Sequence, residues 1–200
     1  GAFRLIADVE VDGVDLGSAL FDAEFGQASN DESEPNWCDA KETTMAHQGG
    51  TYSGEISDGL PNGEGTWTKP GGQQYVGEWE SGLWHGEGSY TGADGSVSTG
   101  EYQHGVRNGQ SIWTHPDGRK YVGEYRDDQI HGQGLHLFSN GDAYEGVFEN
   151  GKQHGQGTYT FTDGSTVAGD WNAGKPWQST YTDTSGREIG QYNEGIWSTN

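Results

Sequence analysis

Three histidines, His85, His131 and His154, fall at one position of a recurring pattern, each immediately before a glycine. Imidazoles in a row are first of all candidate metal ligands. Asn62 and Asn108 hold the same position elsewhere, and the pattern recurs every 23 residues. If each recurrence is a hairpin, neighbours lie two strands apart, roughly 10 Å. Ligands of one ion must converge to about 2 Å from it. The stripe is therefore expected to hold no metal. Asn and His also tolerate left-handed backbone, so turn geometry is its expected cause. The carboxylates Asp31, Glu32 and Glu34 are candidates for weak calcium binding, although the alternating oxygen ligands of a dedicated calcium loop are missing. Cys38 is the single cysteine; it allows no intramolecular disulfide and no thiolate metal site. Carboxylate pairs and Ser–His pairs occur only as the composition makes inevitable. No strained nucleophile turn or phosphate loop stands out. The expectation is a chain without catalytic residues and without a cofactor, hence not an enzyme.

The elements that could position side chains must be built from unusual material. Only 30% of the 200 residues are hydrophobic and 36 are glycine, yet 12% are aromatic. Disordered chains are poor in aromatics, so a folded chain with a thin core is expected. The balance of 31 acidic against 10 basic residues gives a net charge of −21. Such a surface repels phosphate backbones and anionic headgroups, which argues against nucleic acid and against direct membrane insertion. It favours solubility and a partner with a basic surface. No apolar run approaches a membrane span and no signal peptide is visible. The compartment is not readable; the start at Gly1 leaves open a mature chain processed in an organelle or on export.

Periodicity decides the organisation. Unit one runs Tyr52, Gly54, Ile56, Gly59, Gly63, Gly65, Trp67. Unit two has Tyr75, Gly77, Trp79, Gly82, Gly86, Gly88, Tyr90 and Gly95. Unit three has Gly100, Tyr102, Gly105, Gly109, Trp113 and Gly118, with Ser98 in the tyrosine place and Ser111 in a glycine place. Units four and five repeat the set from Tyr121 and Tyr144. Unit six, from Val167, keeps Gly169, Trp171 and Gly174 and then breaks, running two residues short before Gly190, Tyr192 and Gly195. Trp177, Tyr181 and Trp197 are expected to plug the open end there. About six and a half units thus fill residues 51–200.

Within a unit, Tyr-x-Gly-x-aromatic alternates with period two, as does Gly-x-Gly-x-aromatic, so each unit reads as two strands. Glu-Ser-Gly-Leu supplies the turn between them. Asx-Gly pairs such as Asp94-Gly95 and Asp163-Gly164 link the units as short hairpin turns. Glycine weakens a strand unless something packs on the bare backbone; a ring from a neighbouring strand can do so.

These residues resemble the MORN (membrane occupation and recognition nexus) family, whose pattern is Y-x-G-x-aromatic-x-x-G-x-x-x-G-x-G-x-aromatic. Units one, two, four and five follow it closely, three with two substitutions, six poorly. The resemblance implies an all-β fold: an elongated, open and twisted single-layer antiparallel sheet of tandem β-hairpins. It further implies a scaffold or adaptor that binds a protein segment along an aromatic-lined groove and often pairs as a homodimer. The ring positions Tyr75, Trp79, Tyr102, Tyr121, Tyr125, Tyr144, Phe148 and Trp171 are the candidate partner-binding residues. They are also the only core such an array can have, and a one-layer sheet is expected to leave that face partly exposed. A carbohydrate-binding module using the same rings is the alternative.

Residues 1–50 lack the repeat and form the expected N-terminal extension. Phe3–Val11, Asp12-Gly13 and Val14–Leu16 read as a hairpin, Ser18–Gln27 as a strand or short helix, Ser29–Glu34 as an acidic loop. With 11 acidic against 2 basic residues, the segment suits a cap on the array or a dock on a basic surface of a larger assembly. At the other end Tyr192, Ile196 and Trp197 lie beside a sheet edge, where a second copy or another subunit would satisfy unpaired backbone.

Overall fold

A computed structural model describes residues 43–199, together with two short strands nearer the N-terminus. Those two, β1 (Glu10–Val11) and β2 (Val14–Asp15), pair antiparallel across Asp12-Gly13, where the sequence puts a hairpin. The rest of the hairpin, the segment Ser18–Gln27, the acidic loop and Cys38 lie outside the described residues. By contacts the chain divides at Ala40/Lys41 into two units.

The second unit is one open antiparallel sheet. It starts with β3 (Thr43–His47), ahead of the boundary expected at residue 51. Seven hairpins follow. They are β4 (Gly50–Ser57) with β5 (Leu60–Lys69), and β6 (Gln73–Glu80) with β7 (Leu83–Thr91). Next come β8 (Val97–Gln103) with β9 (Val106–Thr114), and β10 (Lys120–Arg126) with β11 (Gln129–Leu137). The last three are β12 (Ala143–Glu149) with β13 (Lys152–Thr160), β14 (Thr166–Asn172) with β15 (Lys175–Thr182), and β16 (Glu188–Asn193) with β17 (Ile196–Thr199). All 15 strands sit in chain order, with β3 and β17 at the edges.

Two kinds of connection alternate. Inside a unit a two-residue turn has both residues at positive φ, as in Ser81 (+51°) and Gly82 (+80°). This mirror-image turn matches the strand twist. Between units the loop is a three-residue one: Gly95 donates its N–H to Gly92 O (3.0 Å), Gly92 donates to Ser96 O (2.8 Å), and only Gly95 has positive φ. The expected Asx-Gly turns thus take a three-residue form, in which Asp94 accepts the Ser96 N–H at 3.0 Å.

Each of the first five hairpins is also bulged. In unit two Gly77 faces Gly88 while Trp79 faces Trp84, so Glu78 alone opposes His85, Gly86 and Glu87. The histidine stripe belongs to this bulge, and its expected cause is corrected. Neither His85, His131 nor His154 has positive φ; the left-handed residue is the glycine after each, Gly86 (+54°), Gly132 (+61°) and Gly155 (+55°). The side chain opposite secures the loop: Glu87, Gln110 and Gln133 donate their N–H groups to the carboxylates of Glu78 (3.1 Å), Glu101 (2.9 Å) and Glu124 (3.3 Å). The histidines reach back across the turn, His85 Nδ1 lying 3.2 Å from Glu80 Oε2 and His154 Nε2 3.6 Å from Glu149 Oε2.

The irregular end keeps its register differently from expectation. Tyr181 is in phase opposite Val167, and Gly190, facing Tyr181, takes the tyrosine place 23 residues after Val167. Trp197 covers Gly190 and packs on Tyr192 (5.0 Å). Trp177 and Trp197 do not plug the end: they are 38% and 42% exposed, because one sits in the shortened bulge of unit six and the other on the edge strand β17, which pairs on one side only.

Candidate functional site: the aromatic face

All first-strand rings project to one side of the sheet. The rings of Tyr52, Tyr75, Tyr121 and Tyr144 lie flat over Gly65, Gly88, Gly134 and Gly157 of the partner strands, where any Cβ would overlap them. Their hydroxyls donate into the bulge, to Glu55 O (2.7 Å), Glu78 O (3.1 Å), Glu124 O (3.0 Å) and Val147 O (3.2 Å). Successive units interlock edge to face. Trp79 meets Tyr52 at 5.0 Å and Tyr75 at 5.4 Å; Phe148 meets Tyr121 at 5.5 Å and Tyr144 at 5.1 Å; Trp171 meets Tyr144 at 5.1 Å. Such perpendicular ring pairs are the favoured aromatic geometry. Burial pushes the phenols of Tyr125 and Tyr144 up to about 12, and those of Tyr75 and Tyr121 upward as well, so they stay neutral donors.

The chain of rings breaks once. At unit three Ser98 and Ser111 stand where a ring would cover a glycine, and their hydroxyls lie 3.3 Å apart. The core accordingly falls into two clusters, one built on Tyr52, Tyr75, Trp79 and Tyr102, the other on Tyr121, Tyr125, Tyr144, Phe148 and Trp171. Unit six shows the same exchange: Val167 replaces the ring, Ser179 the glycine, and Ser179 Oγ donates to Asp170 O at 2.7 Å, the bond a tyrosine hydroxyl makes elsewhere.

The eight candidate partner-binding rings, Tyr75, Trp79, Tyr102, Tyr121, Tyr125, Tyr144, Phe148 and Trp171, are therefore brought together, but as core; none is more than 6% exposed. The half-exposed rings on the same face belong to second strands and the loops after them: Trp84, Tyr90, Trp113, His136, Phe138, Tyr159, Phe161 and Tyr181. Their exposure has no signature in the repeat itself, since Tyr75 and Tyr90 are both aromatic places and only the register separates them. Of the edge residues, Tyr192 is half-buried, Ile196 is 72% exposed and Trp197 42%.

The opposite face is carboxylate-rich. Glu64 pairs directly with Glu78 and Glu87 with Glu101, and burial, then Glu101 and Glu78, raise the Glu87 pKa. Turn carboxylates border the aromatic face: Asp94, Asp117, Asp163 and Asp183 are all held below the usual range, Asp183 to about 2, with the Ser185 hydroxyl as its largest lowering cause. Among the described residues no group of three or more His, Cys, Asp or Glu is disposed to hold a metal ion.

Tandem hairpins with a ring laid over a cross-strand glycine define the class. The MORN repeat matches residues 52–74, 75–97, 99–118, 121–143 and 144–166, together more than half of the chain, and the chain belongs to the MORN repeat family. No curated protein matches the sequence. Among solved structures, the SAS-4 TCP domain of Drosophila melanogaster, in complex with a proline-rich motif of Ana2, is similar at 12% identity, covering 82% of this chain and 95% of that one, with a TM-score of 0.42.

Proposed function

We propose that this chain is a non-catalytic scaffold or adaptor subunit that binds a protein segment along its aromatic face, within a larger assembly. The observation that carries the reading is a row of half-exposed rings, one or two in each of units two to six, on a sheet over which no second layer packs among residues 43–199. An apolar stripe of this kind marks a partner site. The buried rings hold the sheet in register; the half-exposed ones supply the contact. The edge strand β17, with Ile196 and Trp197 exposed, adds a second contact, with a further copy of the chain or another subunit pairing there.

The test changes contact rings and spares the core. Trp113→Leu with Phe161→Leu should keep the β-sheet circular dichroism and reduce capture of the native partner about tenfold or more, by the weight aromatic anchors carry at interfaces. Undiminished capture would remove the aromatic face from the function. Quenching of tryptophan fluorescence by oligosaccharides, with no protein captured, would favour the carbohydrate-binding alternative. Light scattering reads the edge: a monomeric mass, near 21.6 kDa for the 200-residue chain and still monomeric after removing residues 188–200, would exclude self-association through β17.

A further inference from the structure

Two arginines show what the aromatic face seats. Arg107 places Cζ 4.2 Å from the Tyr125 ring centroid while its Nε donates to Asp128 Oδ1 at 2.9 Å. At the other end of the strands Arg119 lies 5.4 Å from the Trp113 centroid and donates through Nε to Asp117 Oδ2 at 2.8 Å. Each guanidinium rests on a ring and is held by a turn carboxylate, a combination that suits its planar, weakly hydrated cation.

The Arg119 seat recurs at 23-residue steps with its ring and carboxylate intact and its cation missing. In unit two Trp113, Asp117 and Arg119 become Tyr90, Asp94 and Ser96; in unit five they become Tyr159, Asp163 and Ser165. Asp163 accepts the Ser165 N–H and hydroxyl on Oδ1 alone (2.8 and 2.6 Å), and no donor reaches its Oδ2 among the described residues. The nearest cationic candidate to Asp94 is His115, 3.7 Å away. In unit four the same places hold His136, Asn140 and Asp142: the seat's carboxylate is absent, and Asp142, in the cation's place, is buried and already committed to Tyr159 Oη (2.7 Å) and Thr162 N (2.9 Å), so no seat opens there. The open seats lie at the β7–β8 and β13–β14 loops, six strands or about 29 Å apart. An extended chain advances about 3.3 Å per residue, so about nine residues span them.

We propose that the aromatic face receives an extended segment of a partner protein bearing two arginine or lysine residues about nine positions apart, one over Tyr90 and against Asp94, the other over Tyr159 and against Asp163. The residues between them are uncharged or acidic, because Arg119 already occupies the seat they cross. The proposal rests on the protein-segment reading and adds the chemistry of the segment; the net charge of −21 favours the approach of such a partner.

The probe is a 15-residue synthetic peptide of serine, threonine and valine with arginines at positions 3 and 12, titrated calorimetrically into the full chain at low salt. The control has the same composition with the arginines adjacent. The spaced peptide should bind about tenfold tighter than the control, from a second ring-and-carboxylate contact. It should lose that margin in Asp94→Asn with Asp163→Asn, and in Ser96→Arg, where the chain fills its own seat as Arg119 does. Equal binding of both peptides means unspecific attraction to an acidic chain and overturns the proposal, as does binding of neither. If an arginine-free apolar peptide binds instead and Trp113→Leu abolishes it, this inference falls while the protein-segment reading stands.

Discussion

Gly88 and Tyr75 form a single steric unit. Gly88 is outside the left-handed region, and the atoms a Cβ there would meet first all belong to the Tyr75 ring. The ring is fully buried and hydrogen-bonded, so it has nowhere to move. Gly88→Ser should cost about 2–3 kcal/mol in the native background, the usual scale of overpacking. In a Tyr75→Ser background the same change should fall within about 0.5 kcal/mol, a coupling that urea denaturation of the four-member cycle measures. The chain has made this exchange itself, at Ser98 with Ser111 and at Val167 with Ser179. Equal costs in both backgrounds would mean that the ring does not dictate the glycine. The ring-and-glycine pairing is legible in the sequence because period-two alternation places both on one face. The bulge is not: Gly86 looks like one more alternating residue, and a glutamate opposite it, such as Glu78, does not stand out in so acidic a chain.

At the scale of the hairpin, unit three is the seam. Without a ring at residue 98 the perpendicular stack stops, and the neighbouring units are joined through Arg107, which bridges Tyr125 and Asp128. Ser98→Tyr combined with Ser111→Gly should restore the stack and stabilise the array by roughly 1–3 kcal/mol, from ring burial and the added edge-to-face pairs. Ser98→Tyr alone should destabilise it, since the ring meets the Ser111 side chain. Hydrogen exchange across β8–β11 should slow in the double variant and quicken in the single one; no difference between them would show that the two clusters are already one cooperative unit. Element by element, strands β4–β13 follow from the repeat. Strand β3 does not, because its residues carry none of the repeat pattern, although Met45 lies opposite Tyr52 and His47 packs against Trp79 at 5.6 Å. Which rings stay half-exposed was equally unreadable, because exposure depends on how neighbouring units overlap and not on residue type.

Across the whole molecule two sets of carboxylates pull in opposite directions with pH. The Glu87 pKa is raised by burial and by Glu101 and Glu78, so its ionised form opposes folding, and that penalty eases as pH falls toward its folded pKa. The turn aspartates have lowered pKa values; their contribution is present above about 3.9, the unfolded value, and is lost as pH falls through the folded values, down to about 2 for Asp183. Thermal stability at low salt should therefore rise from neutral pH to a maximum near about 4.5–5 and drop below about 4. Salt should supply part of the same gain at neutral pH by screening Glu64–Glu78 and Glu87–Glu101. A calorimetric scan with highest stability at neutral pH would contradict this balance. The strict chain order of the strands has a consequence of another kind. Excising residues 121–143 would bring β12 beside β9 with Tyr144 in the place of Tyr121, and no connection would need rerouting. The array can thus grow or shrink in whole steps of two strands, about 10 Å each, and evolution can set the distance between its ends by counting units, as on a ruler.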